Sequence, residues 1–285
     1  MTFPRAHGDP SSIFVPDAVP RLLRDLVHER TGLYFEADRL DTMMDKLQPR
    51  AAAHGFGSFL DYYYLLKYEE DGVEEWRRVM DAFSVPETYF WREYDQIRVL
   101  VEVVVPEWFH RSRQPLRIWS AACATGEEPY TIAMALEEAG WGGHPIEIHA
   151  SDASESALAK ARAASYRERS FRSLPPDLRH KYFHANGDGA RLDRRIADRV
   201  TFRWANLMNP ADYDDLQSLQ VIFCRNVFIY FSADSIRRVV TAFSERIDPR
   251  GQLFIGASES LLKLTDAFEL HDLRGAFVYR RKAAA

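Results

Sequence analysis

The sequence predicts a doubly wound α/β domain preceded by an all-helical one. Three observations carry that expectation. An apolar run from Leu116 to Trp119 stops at small residues, Ser120 to Gly126, and helical periodicity (Tyr130, Ile132, Ala133, Met134, Leu136) begins just after Pro129; this is the pattern of strand, tight turn and helix. Downstream, short apolar runs alternate with helical ones, as a parallel sheet with crossover helices requires. Upstream, from Ala18 to Val85, the apolar spacing is helical throughout.

Taken in order, residues 1–16 are polar and broken by Pro4, Pro10 and Pro16, so a mobile leader is expected. Residues 17–85 carry four apolar stripes, one of Leu22, Leu23, Leu26 and Val27, a second of Leu40, Met43, Met44 and Leu47, a third of Phe59, Tyr62, Tyr63 and Leu66, and a fourth of Trp76, Val79, Met80 and Phe83. Gly32, Pro49, Gly55, Gly57 and Gly72 punctuate them. Residues 86–115 read as linker and helix. Tyr89, Phe90 and Trp91 are adjacent and cannot all face one core, which makes residues 86–93 a hinge candidate. The helix that follows through Ile97, Leu100, Val101 and Val104 is expected to be interrupted at Pro106.

Residues 116–285 make the α/β domain. A strand from Ile146 ends at Asp152, and Ser154 caps a helix through Ala163. Strands are expected over 200–204, 221–224 and 251–257, a helix over 233–247, and a closing antiparallel hairpin in the tail, around Phe268 to Leu270 and Gly275 to Tyr279. Residues from about 165 to 199 break the alternation with Pro175-Pro176 and Asn186-Gly187-Asp188-Gly189, a hairpin signal, and read as a small inserted β-subdomain.

Composition narrows the class. With 285 residues and 46% apolar content the chain is globular and large enough for two ordinary domains. No run approaches the roughly 20 apolar residues of a membrane span, and the start has no signal-peptide core, so a cytoplasmic protein without membrane insertion is expected, and nothing in the sequence demands more than a monomer. Cys123 and Cys224 each close an apolar run and read as small buried thiols, and His180 with His184 lacks the carboxylate of a zinc-protease motif, so no metal is expected. The net charge of −5 conceals a basic island over residues 157–203, which includes Arg167, Arg169, Arg172 and Arg179 and reads either as a site for an acidic partner or as a solvated face.

The candidate site follows from topology, because ligands of open α/β sheets bind outside the carboxyl ends of the strands. The turn after Trp119 has no large side chain, so a ligand can lie on its backbone; it ends in Glu127 and Glu128 without a phosphate-binding Lys, which favours a cationic or neutral ligand over a phosphate. Asp152 is placed to accept two ribose hydroxyls, as in nucleoside-binding folds, or to cap a helix. Asn206 and Leu207 follow the third strand, and Arg225, Asn226 and Tyr230 follow the fourth.

Three motifs together resemble one family: Thr88-Tyr89-Phe90-Trp91-Arg92-Glu93, Trp119 through Tyr130, and Phe223-Cys224-Arg225-Asn226-Val227-Phe228-Ile229-Tyr230-Phe231. In matching order from about residue 17 to 280 they resemble the CheR family of chemotaxis receptor methyltransferases. The resemblance implies a class I S-adenosylmethionine-dependent methyltransferase fold with a Rossmann-like sheet, an N-terminal helical domain and a small inserted β-subdomain. It implies that Thr88 and Arg92 reach the methionine end of S-adenosyl-L-methionine, that Ala122 and Glu128 lie along it, that Asp152 binds ribose, that Asn206 and Leu207 flank adenine, and that Arg225 and Asn226 complete the pocket. Arg92 and Tyr230 are expected to be the catalytic pair, positioning the incoming carboxylate and the cofactor. The implied reaction esterifies glutamate carboxylates in the cytoplasmic helices of a methyl-accepting receptor, leaving S-adenosyl-L-homocysteine.

Three departures from the family pattern are visible. Pro86 stands where the family usually has Asn. In residues 38–53, typically basic, Asp38, Asp41 and Asp45 offset Arg39, Lys46 and Arg50. The Asn186 to Gly189 loop is short for members that grip a receptor's C-terminal pentapeptide, so no such tethering is expected. Two other classes stay open: a nucleic-acid methyltransferase, against which Arg225-Asn226-Val227-Phe228 replaces the usual Asn/Asp-Pro-Pro-aromatic turn, and a cofactor-binding signalling module without turnover.

Overall fold

The computed structural model describes Ile13 and residues 18–282; Ile13 apart, the leader expected over residues 1–16 lies outside the described residues. The chain divides into two compact units, one running through Val85 and taking in Tyr230–Ser235, the other made of Pro86–Ile229 and the residues from Ile236 onward.

The first unit contains α1 (Val19–Thr31), α2 (Leu40–Ala53), α3 (Phe59–Tyr68) and α4 (Gly72–Phe83). Pro20 opens α1, and Gly32 ends it at φ 77°, its N–H donating to the His28 carbonyl at 2.9 Å. Ser58 caps α3 by accepting from the Leu60 N–H. Leu23, Val27, Met43, Leu47, Tyr62 and Val79 are fully enclosed. Leu22, expected in the α1 stripe, is instead 41% exposed: one residue before Leu23 is a step of about 100° around the helix, off the face shared by Leu23, Leu26 and Val27. Inside this unit Glu75 accepts hydrogen bonds from Arg50 Nε (2.9 Å), Arg50 Nη2 (2.7 Å) and the Tyr62 hydroxyl (2.8 Å), and lies 2.9 Å from His54 Nε2. Burial pushes the Glu75 carboxyl up, but those bonds outweigh it and hold the group below the usual carboxylate range. Arg50 is therefore spent inside the unit. The segment Tyr230–Ser235 pairs here too: Leu33 bridges Phe231, the Tyr34 N–H donates to the Tyr230 carbonyl at 3.0 Å, and His28 Nε2 lies 2.7 Å from Ser232 Oγ.

The second unit holds α5 (Tyr94–Val99), α6 (Val105–Arg111), α7 (Glu127–Glu138), α8 (Glu155–Ala163), α9 (Pro176–Tyr182), α10 (Arg194–Ala197) and, from Ile236 onward, α11 (Ala233–Arg246). Its strands are β1 (Leu116–Ala121), β2 (Ile146–Asp152), β3 (Ser165–Tyr166), β4 (Phe183–Asn186), β5 (Gly189–Leu192), β6 (Val200–Trp204), β7 (Leu219–Cys224), β8 (Ile247–Ile255), β9 (Phe268–Leu273) and β10 (Ala276–Arg281). The main sheet runs β6-β2-β1-β7-β8-β10-β9. Its first five strands are parallel, and β10 and β9 close it antiparallel. Strands are added on one side of β1 and then on the other, so the order reverses between β1 and β7; a cleft opens there at the carboxyl ends. Ile118, Trp119, Phe223 and Phe254 fill the core.

Pro106 does not interrupt its helix. A π turn at Leu100–Val104 joins α5 to α6, and Pro106 falls in the first turn of α6. In a regular helix the proline ring would press on the carbonyl four residues back and leave it without a donor; the wider turn relieves the clash. One carbonyl of the π turn, that of Val101, accepts from Trp141 Nε1 at 3.1 Å.

The smaller sheet runs β3-β5-β4, its hairpin turning at Gly187 (φ 59°). A Cβ at Gly189 would lie 2.3 Å from the Tyr166 carbonyl oxygen, so β5 can approach β3 only as glycine there. The three adjacent aromatics separate as geometry demands. Phe90 is buried against Tyr166, Phe171 and Phe183, Trp91 stacks on Tyr94 at 4.5 Å, and Tyr89 carries the Arg172 guanidinium 3.6 Å from its ring centre. Among the described residues no helix is long and apolar enough to cross a membrane.

Candidate functional site

The site is built at the carboxyl ends of β1, β2, β6, β7 and β8. After β1 the chain turns through Ala122 (φ 59°), Ala124 (φ 48°) and Gly126 (φ 92°) before α7 begins. Left-handed geometry in a residue with a Cβ costs roughly 1–2 kcal/mol, so the two alanines mark a backbone held by its surroundings. The holding bonds are visible: the Cys123 N–H donates to the Ser151 carbonyl (2.9 Å), the Ala124 N–H to Asp152 Oδ2 (2.8 Å), and the Tyr166 hydroxyl to the Thr125 carbonyl (2.8 Å). At Gly126 any Cβ would come within 2.8 Å of the Ala161 Cβ, so helix α8 packs there only against glycine.

Asp152 also accepts from the Ser154 N–H through Oδ1 at 2.8 Å. Both oxygens thus hold backbone N–H groups, tying the residue to the turn after β1 and to the start of α8. Asn206 and Leu207 follow β6; Asn206 Oδ1 accepts from the Met208 N–H, and the buried Leu207 takes the Tyr213 hydroxyl on its carbonyl.

On the other side of β1 a charged cluster forms. The Arg225 side chain, 3% exposed, donates through Nη2 to the Arg92 carbonyl at 2.6 Å and lies 3.4 Å from Glu128 and 3.7 Å from Glu93. Its Nε and Nη1 have no hydrogen-bond partner. Glu128 accepts from Ser120 Oγ at 2.7 Å; burial pushes its carboxyl above the usual range, opposed by Arg225 and by that bond. Glu127 is raised likewise by burial, opposed by the Thr125 and Ser170 hydroxyls at 2.6 and 2.9 Å. A buried guanidinium with donors to spare, carboxylates beside it and a diol acceptor across the turn together suit a ligand bearing a carboxylate, a positive charge and a ribose. S-adenosylmethionine has all three.

The structure thus gathers Arg92, Ala122, Glu128, Asp152, Asn206, Leu207, Arg225 and Asn226 at one end of one sheet, with Thr88 half-buried in the segment leading to Phe90. Tyr230 falls in the helical unit and is 41% exposed.

Two residues escaped the reading of the sequence. Glu259 accepts from the N–H groups of Asn226 (2.9 Å), Gly256 (2.7 Å) and Ile229 (3.3 Å), and Glu93 accepts from Asn226 Nδ2 (3.3 Å) and the Ala257 N–H (3.1 Å). Together they clamp the loops after β7 and β8 to the segment before α5. The clamped backbone is strained at Trp91 (φ 68°), Glu93 (φ 48°) and Asn226 (φ 60°). Glu93 stood inside a quoted motif and could have been singled out; nothing local marked Glu259.

Comparison with known proteins decides the family. Residues 21–84 match the model of the CheR methyltransferase all-alpha domain and residues 86–277 that of the CheR methyltransferase SAM binding domain. The chain belongs to the CheR methyltransferase family. It is 37% identical over 261 residues to chemotaxis protein methyltransferase 2 of Vibrio cholerae, covering 90% of each chain. It is 32% identical over 269 residues to chemotaxis protein methyltransferase 1 of Pseudomonas aeruginosa, covering 92% of this chain and 97% of that one. A probable biofilm formation methyltransferase, WspC of Pseudomonas putida, is 32% identical over 256 residues, 90% of this chain but 60% of its own. This CheR-family chain is accordingly an α/β methyltransferase with an all-helical N-terminal region, and its cofactor is S-adenosylmethionine.

Proposed function

We propose that this CheR-family protein methylates glutamate side chains of a chemotaxis-type receptor, forming γ-methyl esters. The observation that carries the reading is the likeness to chemotaxis protein methyltransferases over nearly the whole of both chains. When bound, S-adenosylmethionine supplies an electrophilic methyl group on a positively charged sulfur. In this reading Asp152 holds the ribose, Asn206 and Leu207 border the base, and Ala122 leaves room along the turn. Arg225, Asn226, Glu128 and Thr88 receive the methionine end.

The acceptor chemistry asks little more of the chain. A glutamate, with a reference pKa of about 4.3, is ionised at neutral pH and needs no general base. The remaining task is to align the carboxylate and exclude water while opposite charges neutralise, which lowers the barrier through orientation and desolvation. Arg92, only partly buried and tethered through Nη1 to the Glu87 carbonyl at 2.9 Å, supplies a positive charge for that alignment. Tyr230 shares the role on motif grounds alone.

Incubating the full chain with methyl-tritiated cofactor and receptor cytoplasmic fragments should give base-labile label on protein, reduced by Arg92→Ala and by Tyr230→Phe, the latter with S-adenosylhomocysteine affinity retained. Tight cofactor binding without transfer to any fragment would refute the reading. The WspC relative favours a second receptor class, a non-chemotaxis signalling receptor, and fragments of both classes belong in the assay. The short hairpin turn at Gly187 supports recognition without pentapeptide tethering; micromolar binding of a receptor C-terminal pentapeptide would overturn that.

A further inference from the structure

At the end of the sheet where β1 begins, opposite the strand ends that carry the motif residues, lies a cavity of about 220 Å³. Helix α6 with the π turn before it forms one wall, and the starts of β1, β7 and β8 with β9 and β10 form the other. Val104, Trp108 and Leu116 make part of the lining apolar. Gln252 also lines it, 3% exposed, and its Oε1 is buried without a hydrogen-bond partner. Gln220, its neighbour in the lining, is by contrast satisfied at both ends, accepting from the Arg117 N–H and donating to the Ser218 carbonyl.

Positive charge dominates the rim. Arg111, Arg250 and Arg280 line the cavity, and among the described residues none of them makes an ion pair, Arg111 resting instead on the Trp108 ring. Arg281 spends Nη1 on the Ile247 carbonyl. Of the two acids in the lining, Glu107 and Glu269, the latter lies 2.8 Å from His271 Nε2. Arg250 is presented by a fixed loop. The β7–β8 register jumps from Leu219 opposite Ile247 to Val221 opposite Gln252, so Asp248 to Gly251 loop out between them. Asp248 Oδ1 accepts the Arg250 N–H at 2.9 Å, and a Cβ at Gly251 would lie 2.5 Å from the Ile247 side chain.

We propose that this cavity is a second ligand site, for a small molecule bearing a phosphate or carboxylate together with an N–H or O–H donor. Unpaired guanidiniums fork onto oxyanions, and a buried amide oxygen lacking a donor is costly until one arrives. The volume lies below the roughly 300–1,000 Å³ of pockets for drug-sized ligands, so the ligand is compact. Because the cavity lies at the other end of the strands from the cofactor residues, both sites can be filled at once.

Calorimetric titration of the full chain tests this with O-phosphoethanolamine for the phosphate source and glycylglycine for the carboxylate source, each with and without S-adenosylhomocysteine. Saturable one-to-one binding of at least one probe is expected, weakened at least about tenfold in Arg250→Ala/Arg280→Ala, with S-adenosylhomocysteine affinity unchanged as the control for folding. Gln252→Leu should weaken the same probe while leaving methyl phosphate or acetate, which lack the donor at about pH 8, unaffected. No saturable binding of either probe up to about 10 mM, or binding indifferent to the double arginine substitution, overturns the proposal.

Discussion

Arg225 anchors the charged cluster of the site, because its side chain is enclosed and two carboxylates lie beside it. Replacing it with methionine keeps much of the volume but removes the Nη2 bond to the Arg92 carbonyl and the cation beside Glu128, while Glu93 keeps, of its ion pairs, only the longer one with Arg92 at 3.9 Å. Breaking one side of a buried ion pair costs about 3–5 kcal/mol. Glu128 keeps the Ser120 hydroxyl, and Glu93 keeps Asn226 Nδ2 and the Ala257 N–H, which puts the expected loss near the lower end, about 3 kcal/mol. Adding Glu128→Gln removes the uncompensated charge and should restore about 1–2 kcal/mol, a coupling of the size found between contacting groups. Urea unfolding followed by tryptophan fluorescence is the assay, since Trp91, Trp108, Trp119, Trp141 and Trp204 all lie in the methyltransferase unit and Trp76 alone in the helical one. A single variant that loses less than about 1 kcal/mol, or a double variant no more stable than the single, refutes the account of this cluster.

The remaining predictions concern carboxylates. Glu75 has its folded pKa lowered, so the stability it lends is full above the ordinary carboxylate value and disappears as pH falls through the folded one; Glu75→Gln should flatten that acid limb of helical-unit stability in urea titrations across pH. Glu127 is the opposite case: with its folded pKa raised, its contribution is full below the ordinary value and lost as pH rises through the raised one, so Glu127→Gln should gain stability relative to the native chain at neutral pH and not in acid. Glu259→Gln turns one of two accepting oxygens into a donor facing backbone N–H groups and should cost about 1–3 kcal/mol, with a parallel loss of S-adenosylhomocysteine affinity by calorimetry. Asp152→Asn should weaken that ligand at least about tenfold and, because one of the two oxygens facing the Ala124 and Ser154 N–H groups becomes a donor, should also cost about 1–3 kcal/mol of stability; unchanged affinity would remove Asp152 from the site.

The parts of the site that could be read in the sequence are those whose signal is local. Residues 116–130 announce a strand, a turn and a helix through size and periodicity alone, and Asp152 is placed by where an apolar run ends. What stayed hidden depends on distant partners. Glu259 looks like any loop acid until the chain brings it beneath Asn226. Ala122, Ala124 and Glu93 hold left-handed geometry that their residue types do not advertise, because the strain is maintained by hydrogen bonds and packing from elsewhere. Pro106 misled for a related reason: its effect on a helix depends on whether the preceding turn is tight or wide, and Trp141, far along the chain, satisfies a carbonyl in that turn. Arg50 reads as a surface charge until Glu75 is seen opposite it.

The bridge between Leu33 and Phe231 sets a condition on anyone exchanging helical units between relatives. A graft of the first 85 residues alone would arrive with His28, Leu33 and Tyr34 set against foreign neighbours, since the native counterparts are encoded after the fourth parallel strand in chain order. The transplantable module is discontinuous, and Tyr230 to Ser235 must travel with it. A chimera that omits those six residues tests a mismatch of its own making rather than the exchanged unit.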